Sequence, residues 1–305
     1  MHPAKSVIAF TTLSGAGYGL IAWLIILSSL TSDIAINTTG LIVSIGIALT
    51  LVTVGLLAST FHLGHPERSW RAFTQWRSSW LSREGILAVL CYPVILIWGT
   101  HLFDPDFLSI PDKILYVLKF LAFTLPLLTV YATSKIYQTL KPIPAWSNHF
   151  TTPLYMFFSL VTGGVLMLAL SGFFSMGAYI YKEEIAILFI ITAIIKTFYW
   201  HRPDAGLTKE SATGLGHLGK VTSLEEPHTE ENYLLKEMGF KIGRKHSRPL
   251  RNIFYITWLL ALVSTFFGFS FLALLNATIG IFVERWLFFA EAKHSVILYY
   301  GRNNF

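Results

Sequence analysis

The chain has 305 residues, of which 53% are hydrophobic and only 13% charged, with a formal net charge of +6 and a mean hydropathy of +0.57. A typical soluble domain is about 25% charged, so the composition excludes a water-soluble enzyme and reads as an integral membrane protein. The single cysteine, Cys91, falls inside an apolar run, which excludes a disulfide framework, a thiolate zinc site and an iron–sulfur cluster held by this chain.

A hydrocarbon core about 30 Å thick needs around 20 apolar residues per helix. Eight such runs occur, at 7–30, 40–61, 85–103, 113–133, 150–172, 185–200, 250–268 and 270–292. The predicted fold class is therefore an all-α membrane protein, a bundle of eight transmembrane helices forming a single integral membrane domain over 1–305. The first run exceeds the apolar region of a cleavable signal and lacks a small-residue cleavage site, so it is expected to remain as a helix. It contains SGAGYGL, whose Gly15–Gly19 spacing predicts close approach of another helix; Gly163 and Gly164 in the fifth run read the same way. Pro93 and Pro126 predict kinks in the third and fourth helices. Only Gly268 divides the last two runs.

Between the second and third runs lies FHLGHPERSWRAFTQWRSSWLSRE, residues 61–84, an Arg- and Trp-rich stretch whose position fixes a membrane interface. With eight spans it shares one side with both termini and with the loops 134–149 and 201–249. That side receives 17 of the 23 Lys and Arg residues, against two, Lys113 and Lys182, on the other. The positive-inside rule makes the basic side cytoplasmic. The short connections agree: TSDIAINTT at 31–39 has neither Lys nor Arg. The 134–149 loop, with Pro142, Pro144, Trp146 and His149, predicts an ordered, extended interfacial segment. Loop 201–249, with GLGHLG turns and an amphipathic EENYLLKEMGF helix, is too small for its own core and reads as an extramembrane cytoplasmic docking surface.

Ionisable residues within spans are costly and point to function by default. Lys119 and Lys196 lie near helix ends and are expected to snorkel to the interface. Glu284 and Arg285 lie two turns short of the last helix end, about 10–12 Å deep at 1.5 Å per residue. Being adjacent, they point about 100° apart, so each is expected to find another partner in a cavity or an interhelical pair. A b-type haem would need two axial histidines at matching depth; His62, His149, His201 and His294 are the candidates on the basic side, and no haem is expected. One interfacial histidine serves better for proton exchange with a quinone, which needs a group titrating near neutrality, apolar walls and a route for its tail into lipid. His62 fits best: it ends the second helix, precedes Leu63–Gly64 where the backbone can turn, and has Arg68 and Arg71 nearby to hold negative charge. A secondary transporter would call for broken helices near the midplane of repeated halves, whereas no repeat is present and the ionisable groups crowd toward one face.

The order of these motifs resembles a known family. His62-Leu63-Gly64 with Pro66 and Arg68, then Ser79 to Glu84, is similar to the HLGxPxR and LSxE pattern of the membrane anchor subunits of dimethyl sulfoxide reductase-type molybdoenzymes. The resemblance extends through Ile143-Pro144-Ala145-Trp146, Gly163-Gly164, and Arg285 followed by Phe288-Phe289. The start of the chain, with SATGLGHLGKV and EEPHTEENYLLKEMGF, looks most like the subgroup attached to cytoplasmic sulfite dehydrogenases. The sequence departs from the pattern at Glu284, where a small residue is expected, and in the charge-rich 201–249 insertion. The resemblance implies a quinone-reactive anchor (ubiquinone or menaquinone) without haem, bound to an iron–sulfur electron-transfer subunit and a molybdopterin catalytic subunit, in membrane lipid and with no nucleic acid partner. By position it gives His62 the catalytic role. Gly64, Arg68, Arg71, Trp146, Glu284 and Arg285 complete the expected quinone site. The cytoplasmic placement of the basic face favours sulfite oxidation; a menaquinol-oxidising anchor of an S-oxide or polysulfide reductase is the alternative.

Overall fold

The computed structural model describes residues 3–30, 37–61, 65–202, 208–222, 224 and 246–300. Its framework is eight long helices: α1 (Lys5–Leu30), α2 (Thr38–Thr60), α3 (Trp80–Phe103), α4 (Asp112–Gln138), α5 (Thr151–Phe174), α6 (Lys182–His201), α7 (Ser247–Phe266) and α8 (Ser270–Ala290). No strand occurs among the described residues. Each apolar run coincides with one helix. Apolar composition marks the centre of a helix but not its polar end turns, so α4 continues to Gln138, past the expected limit at 133.

Seven of the eight are long and apolar enough to cross a membrane. The exception is α6, whose first turn carries Lys182, Glu183 and Glu184 and whose body carries Lys196. Side chains start and stop the helices where backbone groups would be orphaned. Asn37 accepts from the amide of Gly40 at 3.2 Å to open α2, and Ser79 accepts from that of Ser82 at 3.5 Å to open α3. Gly268, at φ +81°, reverses the chain between α7 and α8 in a left-handed conformation that only glycine adopts without strain.

The centre of the bundle is α1, packed against α2, α4, α5 and α8. Small residues set its approach to α5. A Cβ at Gly19 would collide with the backbone of Ser159, and one at Gly163 with the backbone of Gly19 and Leu20. On its other face a Cβ at Gly17 would meet the Ala48 carbonyl of α2 at 2.7 Å. Gly15, the expected partner of Gly19, has nothing within 4 Å of its Cβ position; the tight contacts run through Gly17 and Gly19 instead. Polar side chains fasten the same seam: the Trp23 indole donates to the Leu160 carbonyl at 2.8 Å and the Ser159 hydroxyl to that of Gly15 at 2.7 Å. Outward, Val54, Leu57, Val89, Leu96, Val117, Phe120, Ile187, Ile190, Ile256 and Leu259 are exposed, the apolar belt of a protein solvated by lipid.

Several elements meet at one end of the bundle. The amide of Ser295, after α8, donates to the carbonyl of Pro142 in the α4–α5 loop at 2.9 Å. Lys5 at the start of α1 shares a groove with His246 at the start of α7 and Trp286 near the end of α8. The α4–α5 segment is ordered as expected but not extended. It coils through consecutive turns, with Trp146 N–H donating to Ile143 and Asn148 N–H to Trp146. In the 201–249 loop, a short helix Lys209–Thr213 with a Thr208–Ser211 capping box and a Gly216–Leu218 turn are present; EENYLLKEMGF lies outside the described residues.

Candidate buried redox-anchor site

The Arg- and Trp-rich stretch builds a lid over the start of α3. Pro66–Gln75 forms a 3-10 helix, and Phe73 packs at the edge of Gly85, 3.2 Å from its Cβ position. The Arg83 guanidinium lies over the Trp80 ring at 4.4 Å and donates to the carbonyls of Trp76 and Arg77 at 2.9 and 2.6 Å. One residue on, Glu84 turns inward. It is 5% exposed, and its carboxylate accepts from the Thr133 hydroxyl of α4. The sequence pattern puts Glu84 in a motif but not in the site; its burial depends on α4 supplying a hydroxyl 49 residues away.

The expected site residues divide into three groups. His62 and Gly64 lie outside the described residues. Arg68 and Arg71 are exposed on the surface of the 3-10 helix, Arg68 beside Glu67 at 3.8 Å and Arg71 over Trp70 at 5.7 Å. Trp146, Glu284 and Arg285 come together in the interior, 5%, 1% and 3% exposed. The Trp146 indole donates to the Phe288 carbonyl at 2.8 Å and stacks on the Phe288 ring at 5.6 Å, 15° from parallel. Tyr137 packs against Trp146, Phe288, Phe289 and Tyr155, and lies in the electrostatic field of both Glu84 and Arg285.

Glu284 and Arg285 do find further partners. Lys196 of α6 is fully buried, and its ammonium donates to Glu284 Oε1 at 2.5 Å. Expected to snorkel, Lys196 instead turns inward, because a carboxylate on α8 and the faces of Tyr199 and Trp200, at 4.0 and 4.6 Å, give the cation a better environment than a lipid-lined climb to water. Arg285 rests on the Tyr155 ring at 3.9 Å. Its Nε stands 3.4 Å from Glu284 Oε2, near enough for ion pairing but without hydrogen-bond geometry. In formal charge, Glu84 and Glu284 balance Lys196 and Arg285.

Arg285 also borders a polar cavity of about 20 Å³ between α1, α4, α5 and α8, lined by the hydroxyl-bearing Thr11, Ser14, Thr133, Tyr155, Ser159 and Thr162. That volume suits one water. Thr133 belongs to both this cavity and the Glu84 contact, so buried polar groups run from α3 to α6 through the centre of the bundle. Just past α8, burial holds the His294 ring below its ordinary pKa, and its Nδ1 accepts from the Val296 amide at 3.1 Å, a bond that requires an unprotonated nitrogen.

No solved structure matches this chain. A sulfite dehydrogenase subunit of Allochromatium vinosum is 31% identical over 329 aligned positions, which cover 98% of this chain and 99% of that protein. Residues 1–289 match the family described as DMSO reductase anchor subunit (DmsC). The chain thus belongs to the DMSO reductase anchor subunit family, as a membrane anchor of a molybdoenzyme.

Proposed function

We propose that this chain is the quinone-reactive anchor of a cytoplasmic sulfite-oxidising complex in a bacterial inner membrane. It spans eight times, with both termini and the loops 61–84, 134–149 and 201–249 cytoplasmic. An iron–sulfur electron-transfer subunit and a molybdopterin catalytic subunit dock on that face. The eighth span is α6, and the pairing of Lys196 with Glu284 supports it, since a neutralised lysine removes the main cost of placing this helix in hydrocarbon. Sulfite as the electron donor rests on the relative in Allochromatium vinosum and on the basic face.

One observation carries the quinone reading: at the end of the stretch that holds His62, the Glu84 carboxylate is buried at the membrane interface with the Thr133 hydroxyl as its hydrogen-bond donor. A charged or protonated carboxyl costs too much there to be retained for packing. A bound ubiquinone or menaquinone accepts two electrons and two protons. His62 would donate a hydrogen bond and a proton to one ring oxygen, with Gly64 beside it in the site. Glu84, oriented by Thr133, holds the second proton within the bundle. Arg68 and Arg71, exposed on the lid, present their positive charge to the docked partner. Trp146, Glu284 and Arg285 close the interior side of the pocket, with Arg285 offsetting negative charge that develops near Tyr137. Because protons enter from the side on which sulfite is oxidised, turnover in sealed vesicles should create little proton-motive force.

His62→Ala and Glu84→Gln test this. Each should lower sulfite-dependent quinone reduction by about 100-fold or more, the usual scale of a lost acid–base group. Sulfite oxidation with an artificial acceptor and assembly of the complex should be unchanged. Normal quinone kinetics in both variants would remove the site from this position. A C-terminal reporter fusion active on the outer face would instead support the menaquinol-oxidising reductase.

A further inference from the structure

A groove of about 740 Å³ opens at the same end of the bundle, between the starts of α1 and α7 and the end of α8. Its wall is Ile8, Pro249, Leu250, Phe282, Val283 and Trp286. Lys5 and His246, both exposed, are the polar residues at its rim. Arg248 stands in the same first turn of α7, and neither helix has an acidic residue in its first turn. Glu291, beyond the end of α8, is already taken by Arg251 at 2.9 Å. The groove is therefore apolar along its depth and cationic at its mouth.

That polarity selects an occupant. A quinone ring would need groups deep in the pocket that hydrogen-bond and exchange protons with its carbonyls, and of the six wall residues Trp286 alone carries a polar side-chain atom, an indole N–H that does not titrate. A molecule with two acyl chains and an anionic head places its tails along Phe282, Val283 and Leu250 while its phosphate meets Lys5 and the start of α7. We propose that the groove is a specific site for an anionic phospholipid of the leaflet that faces the basic loops, holding α1, α7 and α8 together at the interface. Basic pockets between membrane helices bind acidic headgroups through attraction worth about fivefold in affinity per cation.

The test uses the full chain, purified with its partner subunits and placed in nanodiscs containing both phosphatidylglycerol and phosphatidylcholine, with retained lipid read by native mass spectrometry. Phosphatidylglycerol should be retained over phosphatidylcholine by roughly 5- to 25-fold, with the preference shrinking as salt is raised. Lys5→Gln should lower it about fivefold, and Lys5→Gln with Arg248→Gln should bring it near unity. Both positions are exposed, so the variants should melt like the parent in phosphatidylcholine alone. Val283→Trp, which fills the groove, should release lipid of either headgroup. Equal retention of the two lipids, an undiminished preference in the double variant, or a tightly held isoprenoid quinone that phosphatidylglycerol does not displace would each overturn the proposal. None of these outcomes depends on His62 or Glu84.

Discussion

Replacing Lys196 by Met keeps the length of the side chain and removes its charge from a site with no access to water. The ammonium lies 2.5 Å from Glu284 Oε1, a Coulomb attraction of about 7 kcal/mol at an effective dielectric constant of about 20. Most of this offsets the desolvation of the two ions, so the pair itself adds little to stability; what matters is the carboxylate left behind. Removing one partner of a buried pair costs about 3–5 kcal/mol. Arg285 Nε remains 3.4 Å from Glu284 Oε2 and compensates in part, which places Lys196→Met near about 3 kcal/mol, a factor of more than 100 in the folding equilibrium. Glu284→Gln leaves two cations facing one another and belongs near the upper limit, about 5 kcal/mol. In the double variant the mismatch on the α6–α8 seam disappears, so its cost should fall short of the sum by about 2–3 kcal/mol. Equilibrium unfolding of the four proteins in mixed detergent micelles measures all three quantities. A Lys196→Met variant as stable as the parent, or costs that simply add, would refute the buried pairing and with it the argument that α6 is fit to span.

The helix seam gives a second contrast: Gly163→Val should abolish folding, since its Cβ meets the backbone of Gly19, whereas Gly15→Ala, in open space, should raise helix stability by up to about 1 kcal/mol. Levels of folded chain in membranes report both. Trp146→Phe retains the stacking on Phe288 but strands its buried carbonyl, at a cost of about 1–3 kcal/mol seen as a lowered melting temperature. His294 is held below its ordinary pKa of 6.5, so the unfolded chain binds its proton first as pH falls. Its contribution is complete above about pH 6.5 and is lost as pH drops from there through the depressed folded value. His294→Gln should remove that part of the acid-side decline in melting temperature between about pH 7 and 5, and an unchanged pH profile would contradict the assignment.

What could be read along the chain was what depends on local composition. Runs of apolar residues located all eight helices, and Gly268 marked the turn between α7 and α8, because twenty apolar residues and one left-handed glycine are properties of a segment. The depth of Glu284 and Arg285 was legible for the same reason. Their partners were not. Lys196 is 88 positions from Glu284, and only the approach of α6 to α8 decides that a lysine close enough to the interface to snorkel turns inward. Glu84 was hidden similarly: beside Arg83, it reads as one more charge in a polar loop, until the first turn of α3 directs the arginine to Trp80 and the glutamate to Thr133. Gly15 shows the converse error, since a spacing that permits close packing does not say which glycine of three the neighbouring helix meets.

On the proposed function, the division between exposed and buried cations lets one end of the bundle serve two neighbours. Arg68 and Arg71 are in contact with water and with Glu67 and Trp70, so their charges are screened over about 8–10 Å at physiological ionic strength and act on whatever docks against the lid. Lys196 and Arg285 lie instead against Glu284, aromatic rings and, for Arg285, the hydroxyls of the small cavity, and the field of Arg285 reaches Tyr137, which also lies in that of Glu84. A protein that only tethered its partners would need the first set alone. Retaining the second, with Glu84 held at the interface by one hydroxyl, follows if charge must change inside the bundle during turnover. Charge-reversing substitutions should therefore separate cleanly: Arg68→Glu with Arg71→Glu should release the soluble subunits from the membrane while leaving the chain folded. Glu84→Gln should leave the subunits attached and affect only the transfer to quinone. Loss of partner binding in Glu84→Gln, or loss of quinone reduction in an Arg68/Arg71 variant whose subunits remain bound, would show that the two sets of charges do not act separately.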